Sequence, residues 1–237
     1  MNNPLTLVYV IIALLEITAE FFEGASLLTG GEASIDFHTL ILITKPLLMP
    51  ALLAVFLFSS EKNYPLKKII IAALFFAWVG DVTLMLIYIN QNFFFAGLGA
   101  FLITHVLYIN CYIKMMGKNE GFLKRFPLYA SPLLIYFVAL MFLVFPKLQG
   151  VLRFPVAVYS ITILLMVLCA MNLFSLVSKK IFFNIFSGAL LFMISDSLIA
   201  LDKFVSPIAF AGVFIMAFYV GGQYLIIKGF ALHSKSA

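Results

Sequence analysis

Eight long apolar segments divide the chain, each about 17–25 residues long, which is the length a helix needs to cross roughly 30 Å of hydrocarbon. Inside a bilayer every backbone N–H and C=O group must find a partner within the protein, so spanning segments form helices or closed barrels. Segments of this length favour helices. They predict an all-α, polytopic membrane protein, a bundle of eight transmembrane helices that forms a single domain over residues 1–237. We place the helices near residues 4–22, 37–58, 67–89, 93–116, 127–145, 152–177, 181–201 and 206–228.

The composition excludes a water-soluble fold. Hydrophobic residues make up 64% of the chain and charged residues 11%, whereas soluble domains carry about 25% charged residues. Both cysteines, Cys111 and Cys169, lie in apolar stretches. We therefore expect packing cysteines and no disulfide framework.

Positive charges are distributed unevenly between the connections. With the N-terminus inside, the inner connections hold eleven Lys and Arg residues and the outer connections hold three. Cations in short loops mark the cytoplasmic side, so both termini are predicted to be cytoplasmic. This bias accounts for the net charge of +5, and no nucleic-acid partner is implied. The inner cations are Lys62, Lys67, Lys68, Lys114, Lys118, Lys124, Arg125, Lys179, Lys180, Lys228 and Lys235, and the outer ones are Lys147, Arg153 and Lys203.

Several ionisable residues lie inside the predicted spans. A charged side chain at the bilayer centre costs roughly 2.5–3.5 kcal/mol on insertion scales, so such residues indicate a functional site. Helical rise converts sequence position into depth. The polar residues of seven helices fall into one band that covers the midplane and the outer half of the bilayer, which predicts a single intramembrane pocket. The residues in this band are Glu16, Glu20, Lys45, Asp81, His105, Tyr159, Asp196, Tyr219 and Gln223.

Local spacing supports the pocket. His105 and Tyr108 share a helix face, as do Tyr219 and Gln223. Glu16 and Glu20 are one turn apart and repel each other, so we expect one of them to be protonated or paired with Lys45. Small residues let helices approach closely, and the candidates for such contacts are Gly80, Gly188, Gly221 and Gly222.

Other interpretations of these residues stay open at this level. Lys45 could form a purely structural ion pair with the aspartates. The tyrosines could likewise serve only as structural hydrogen-bond donors between helices. Buried Asp, Lys and His residues also mark proton relays, so a small-molecule or proton-coupled transporter is the alternative function, although the two halves of the chain show no convincing repeat. An intramembrane metallohydrolase that uses His105 with Asp81 and Asp196 is a third hypothesis. Neither an HExxH motif nor paired histidines occur, and no GxSxG motif supports Ser195 as a nucleophile.

Five stretches of the sequence resemble the YhhN-like integral membrane proteins, a family that includes the lysoplasmalogenases. The stretches in the fourth and seventh predicted spans, Gly97–Tyr108 and Gly188–Phe204, are the more specific ones. One departure is visible: many members have Tyr-Tyr-x-Ala-Gln where this chain has Tyr219-Val-Gly-Gly-Gln223, which affects substrate fit more than reaction type. The stretches are Thr44–Pro46, Gly80–Met85, Gly97–Tyr108, Gly188–Phe204 and Tyr219–Ile226.

The resemblance implies hydrolysis of the vinyl-ether bond of a lysoplasmalogen, a lysophospholipid substrate that lies in the bilayer among membrane lipids. It also implies an integral multi-pass protein, which we expect in a bacterial cytoplasmic membrane, and no cofactor or metal. Vinyl-ether cleavage needs a proton-loaded carboxylic acid, which apolar surroundings favour, and a second carboxylate for the cation that forms. Which aspartate takes which role is open. The expected catalytic residues are Asp81, Asp196, His105 and Lys45, and the expected substrate-binding residues are Glu20, Tyr108, Tyr159, Ser195, Tyr219 and Gln223.

Overall fold

The computed structural model describes residues 4–29 and 37–236, and in these ranges the regular elements are helices without a strand. Eight helical segments are long and apolar enough to cross a membrane, so the predicted all-α polytopic class is confirmed. In the fifth span, one-turn 3₁₀ segments flank α6 at both ends. The helices are α1 Pro4–Thr29, α2 Phe37–Ser59, α3 Lys67–Met85, α4 Asn92–Met116, the short α5 Phe122–Arg125, α6 Ser131–Val144, α7 Arg153–Met171, α8 Lys179–Phe204 and α9 Ala211–Ser234.

Several helix ends differ from the prediction: α1 continues to Thr29 and not to 22, and α9 continues to Ser234 and not to 228. Three further differences have identifiable reasons. Helix α3 ends at Met85 and not near 89, because residues 86–89 continue as tight i→i+3 turns. Helix α7 ends at Met171 and not near 177, because the side chain of Asn172 accepts a hydrogen bond from the Leu123 backbone N–H at 2.9 Å and anchors α5. Helix α9 starts at Ala211 and not near 206, after a left-handed turn at Phe210 (φ 57°).

Short connections join consecutive spans, so their directions alternate. The ends of α1, α3, α6 and α8 therefore lie on the same side as the starts of α2, α4, α7 and α9, and we call this side the upper end. Which end faces the cytoplasm stays a prediction from the distribution of cations.

Helix α2 contains two internal prolines that remove backbone donors. Pro50 has no N–H, so the carbonyl of Pro46 one turn earlier lacks its helical partner. The indole Nε1–H of Trp78 on α3 donates to that carbonyl at 3.0 Å. A neighbouring helix thus satisfies the freed group, which is the way membrane proteins accommodate prolines inside a span.

Helices α8 and α9 pack backbone against backbone. A Cβ atom built on Gly188 of α8 would lie 2.7 Å from the carbonyl oxygen of Gly222, and one on Gly222 would lie 2.9 Å from that of Gly188. No side chain fits at either position. Gly221 has more room, with its nearest neighbour at 3.7 Å, so only the second glycine of the predicted pair is required for the contact.

Helix α6 is the most loosely attached span. Only Leu133 and Val144 are buried among its 14 residues, whereas Ile135, Val138 and Phe142 are exposed. Its inner side covers α7 and α8. Because apolar side chains face outward along its length, α6 lies at the lipid-facing edge of the bundle.

Candidate functional site

A cavity of about 210 Å³ opens near the upper end of the bundle, and we call it the polar chamber. Six helices contribute to its wall, so it forms only when α1, α2, α3, α4, α8 and α9 are assembled. Three carboxyl groups and two ammonium groups line it together with apolar side chains. The polar lining residues are Glu20 on α1, Lys45 on α2, Asp81 on α3, Ser195, Asp196 and Lys203 on α8, and Tyr219 on α9.

Asp81 lies four residues before the end of α3, because that helix stops at Met85. The carboxyl group is therefore in the part of α3 nearest the upper end. It is 4% exposed, and the Tyr219 hydroxyl donates a hydrogen bond to Oδ2 at 2.9 Å. The ring of Tyr219 stacks edge to face on Phe101 and Phe192, which fixes the direction of the hydroxyl.

Asp196 is held by two partners from other helices. The hydroxyl of Tyr159 on α7 donates to Oδ2 at 2.5 Å, and Nε2 of His105 on α4 lies 3.7 Å from the same oxygen. Ring contacts with Tyr159 and Phe192 enclose the imidazole, which is fully buried and does not line the chamber. Neither ring nitrogen has a hydrogen-bond partner among the described residues. His105 therefore lies behind the carboxyl group and does not face the cavity.

Lys45 pairs with glutamates and not with the aspartates. Its ammonium lies 3.1 Å from Glu20 Oε1 and 3.6 Å from Glu16 Oε1. Glu16 is completely buried and also accepts a hydrogen bond from the Thr44 hydroxyl. The predicted pairing of the stacked glutamates with Lys45 is thus present, and this cluster places a fixed cation in the chamber wall.

Two expected substrate-binding residues lie away from the chamber. The Tyr108 hydroxyl donates to Gln223 Oε1 at 2.7 Å, and both side chains are completely buried among aromatic residues. Neither lines a cavity at the site. Ser195 does line the chamber, but its hydroxyl donates to the Ile215 carbonyl at 3.0 Å and joins α8 to α9.

A second, narrower cavity lies on the other side of Asp196, and we call it the apolar slot. It has a volume of about 70 Å³ between α4, α6, α7 and α8, and its lining is almost entirely apolar. Tyr159 belongs to this slot and not to the chamber. Asp196 is the carboxyl group that lines both cavities, so the two environments meet at this residue. The other residues common to both are Leu84, Phe94, Phe101 and Ile199.

Sequence reasoning did not foresee the slot, nor the presence of Lys203 and Phe94 in the chamber wall. The sequence analysis places Lys203 among the outer cations and inside the stretch Gly188–Phe204, without a role in the site. Its place at the end of α8, seven residues after Asp196, is the signal that identifies it. No pattern in the sequence distinguishes Phe94 from the other 26 phenylalanines.

Among residues 4–29 and 37–236, no group of three or more His, Cys, Asp or Glu side chains is arranged to hold a metal ion. Two of the three carboxyl groups of the chamber, those of Asp81 and Asp196, each accept a hydrogen bond from a tyrosine hydroxyl. Such a pair can divide the work of proton donor and charge stabiliser.

These features define an integral, multi-pass membrane protein with an acidic site enclosed by its helices. Comparison with known proteins narrows the class: residues 40–230 match the YhhN family, and the chain belongs to that family. The matched region starts within α2 and so contains neither Glu16 nor Glu20.

Two mammalian relatives are similar to more than two thirds of this chain. Lysoplasmalogenase TMEM86A from Bos taurus is 32% identical over 168 residues, which cover 69% of this chain and 65% of the relative. Lysoplasmalogenase TMEM86A from Homo sapiens is 31% identical over 167 residues, with the same coverage of each chain. The match thus spans slightly less than two thirds of these relatives. No solved structure matches this chain.

Proposed function

We propose that this chain is a lysoplasmalogenase-type hydrolase. It cleaves the vinyl-ether bond of a 1-alkenyl lysophospholipid to a fatty aldehyde and glycerophospho-ethanolamine or -choline. The observation that carries the proposal is the position of Asp196 where the polar chamber meets the apolar slot. A lipid with one hydrocarbon chain and a charged head group needs these two environments side by side. The activity named for the two relatives supports the same reaction.

In the proposed first step, Asp196 donates a proton to the β-carbon of the vinyl ether. The double-bond electrons form the new C–H bond, and the α-carbon becomes an oxocarbenium ion. Asp81, which lines the same chamber, stabilises this cation as a carboxylate. Charged groups enclosed within a protein interact more strongly than in water, so a carboxylate fixed at this place lowers the barrier.

Water then adds to the α-carbon and gives a hemiacetal, and the ionised Asp196 accepts the proton that the water releases. Collapse of the hemiacetal breaks the bond to the glycerol oxygen, which takes up a proton as the aldehyde forms. The sum is one alkenyl ether plus one water, giving one aldehyde and one alcohol. Asp196 ends the cycle protonated. His105 packs behind Asp196, with Nε2 3.7 Å from the carboxyl oxygen, and its ring limits the movement of that group.

The hydrocarbon chain of the substrate is proposed to occupy the apolar slot. The slot has about one third of the volume of the chamber, about 70 Å³ against about 210 Å³, so we propose that it widens to admit a chain. Helix α6 supplies Tyr136, Phe137 and Leu140 to the slot wall and is the loosely attached span. Outward movement of α6 would admit the chain sideways from the bilayer, where the substrate already lies.

The proposed reaction is tested with the purified protein in detergent. We expect aldehyde release, measured by mass spectrometry, from a 1-alkenyl lysophospholipid and none from the matching 1-alkyl ether or 1-acyl ester. A saturated ether has no double bond to protonate, and an ester requires a nucleophile instead. Turnover without a membrane gradient separates the hydrolase from a transporter. The absence of aldehyde from folded protein, or equal cleavage of the ester, would remove the proposal.

A variant in the wall of the slot tests whether the hydrocarbon chain of the substrate binds there. Ile163 on α7 lines the slot, and we expect Ile163→Trp to fill the space there. The kcat/KM for a long-chain alkenyl substrate should fall about tenfold or more, whereas a short-chain analogue should be affected much less. Leu165→Trp on the same helix is the control, because Leu165 is exposed and lines neither cavity. An equal loss of kcat/KM for the long-chain and the short-chain substrate would show that the hydrocarbon chain binds outside the slot.

A further inference from the structure

The last turn of α8 carries an exposed lysine that lines the polar chamber. Lys203 extends its ammonium over the ring of Phe94, with Nζ 4.5 Å from the ring centroid. A cation at this distance is attracted by the electron-rich face of an aromatic ring. The ammonium group therefore has a preferred position beside the chamber.

Lys203 differs from the other cation of the chamber in its partners. Lys45 is shared between two glutamates, so its charge is compensated. The ion pairs of the described residues include none to Lys203. The adjacent Asp202 accepts a hydrogen bond from the Ile208 backbone N–H at 2.7 Å, which anchors the connection to α9. Lys203 is thus a chamber cation whose charge no carboxylate of the described chain compensates.

The spacing between Lys203 and Asp196 matches the length of a lysophospholipid head region. Seven residues correspond to about 10 Å along the helix axis. Helical side chains lean toward the N-terminus, which for Lys203 is the direction of Asp196. In the substrate, five bonds separate the ether oxygen from phosphorus, which is roughly 6 Å for bonds of about 1.5 Å. A phosphate near Lys203 therefore leaves the vinyl ether near Asp196.

Phe94 separates the two parts of the substrate. Its ring lines both the chamber and the slot, and it contacts Phe204 of the slot edge to face at 5.9 Å between centroids. The same ring thus contacts the ammonium group of Lys203 and forms part of the slot wall. A phosphate and a hydrocarbon chain can thus lie on either side of this ring.

We propose that Lys203, held over Phe94, binds the phosphate of the lysophospholipid head group and so selects phosphate-bearing lipids. This rests on the proposed function for the identity of the lipid. Lys203 is a binding residue and takes no part in proton transfer.

The test measures binding, so it does not depend on turnover. The ligands are a 1-alkyl lysophosphoethanolamine, which has no vinyl bond to cleave, and the 1-alkylglycerol that lacks the phosphate. For Lys203→Gln we expect the Kd of the phospholipid to rise about tenfold, as for the loss of one charge-assisted hydrogen bond. The Kd of the alkylglycerol should not change. Lys203→Arg should retain phospholipid binding, because it keeps the positive charge.

The control is Lys147→Gln, an exposed lysine at the same end of the bundle that lines neither cavity, and it should change neither Kd. Equal weakening of both ligands by Lys203→Gln would indicate a structural role, and unchanged binding of both would indicate a lysine that only reaches the membrane surface. Either result overturns the proposal. Inorganic phosphate at the same concentration should not displace the lipid, since it lacks the chain, and displacement would indicate a site for free anions instead.

Failure of this proposal is distinguishable from failure of the proposed function. Aldehyde release by wild-type protein with no selective effect of Lys203→Gln on phospholipid binding removes only the role of Lys203. Selective weakening of phospholipid binding without aldehyde release from the alkenyl substrate retains the phosphate site and removes the hydrolase.

Discussion

Replacing Asp196 by asparagine is expected to lower kcat for aldehyde release by about 10²–10⁴-fold, the usual contribution of a positioned general acid. The amide has nearly the same size and keeps an oxygen that accepts the hydrogen bond from Tyr159. It has no acidic proton to give to carbon. The fold should survive, so thermal unfolding in detergent should change little while activity is lost.

Asp202→Asn is the matched control for this exchange. Asp202 lies on the same helix and lines neither cavity, and an asparagine oxygen can still accept the hydrogen bond from the Ile208 backbone. We expect wild-type kcat from this variant.

Asp81→Asn should also reduce turnover, because it removes the carboxylate that is proposed to stabilise the oxocarbenium ion. Full turnover by both Asp196→Asn and Asp81→Asn would contradict the two-carboxyl mechanism.

Gly188→Ala is expected to destabilise the protein by about 1–3 kcal/mol, the range for overpacking in a well-packed interior. The added methyl group would lie 2.7 Å from the carbonyl oxygen of Gly222 and 2.8 Å from the backbone nitrogen of Ile226. Backbone atoms cannot rotate away as a side chain can, so α8 and α9 must separate. Since both helices line the chamber, activity should fall together with stability. Unfolding in mixed detergent micelles with increasing SDS measures the change.

Gly99→Ala provides the comparison for Gly188→Ala. Gly99 is also in the interior of a span, on α4, but a Cβ atom there meets nothing within 4 Å. Alanine is favoured over glycine inside a helix by roughly 0.5–1 kcal/mol, so this variant should be neutral or slightly more stable. Equal destabilisation by both exchanges would show that the loss does not arise from the α8–α9 contact.

Much of the architecture could be predicted because a bilayer imposes strict rules on a spanning segment. The length and apolarity of each segment sufficed for the eight spans, and the unfavourable energy of buried charge identified Asp81, Asp196, Lys45 and His105 as unusual. Helix ends were less predictable. The end of α3 at Met85 depends on the backbone turns that follow and not on hydropathy, since residues 86–89 are as apolar as the helix before them.

Pairing among the polar residues was harder to predict than their presence. The spacing predicted a pair between Lys45 and one of the stacked glutamates, but depth alone could not exclude the aspartates as partners of Lys45, because residues at one depth are not necessarily on facing sides of their helices. Tyr108 shares a face with His105 as predicted, yet its hydroxyl bonds to Gln223 and lines neither cavity.

The sequence by itself determined that this protein is a helical membrane bundle with acids inside its spans, because hydrophobic length and the unfavourable energy of burying charge are local properties. Only the tertiary structure decided that Asp196 joins a polar chamber to an apolar slot, that His105 lies behind it and that Lys203 borders the chamber. Those relations depend on the rotation and crossing of helices distant in sequence. They are set by packing contacts such as the one between Gly188 and Gly222, which no single segment encodes.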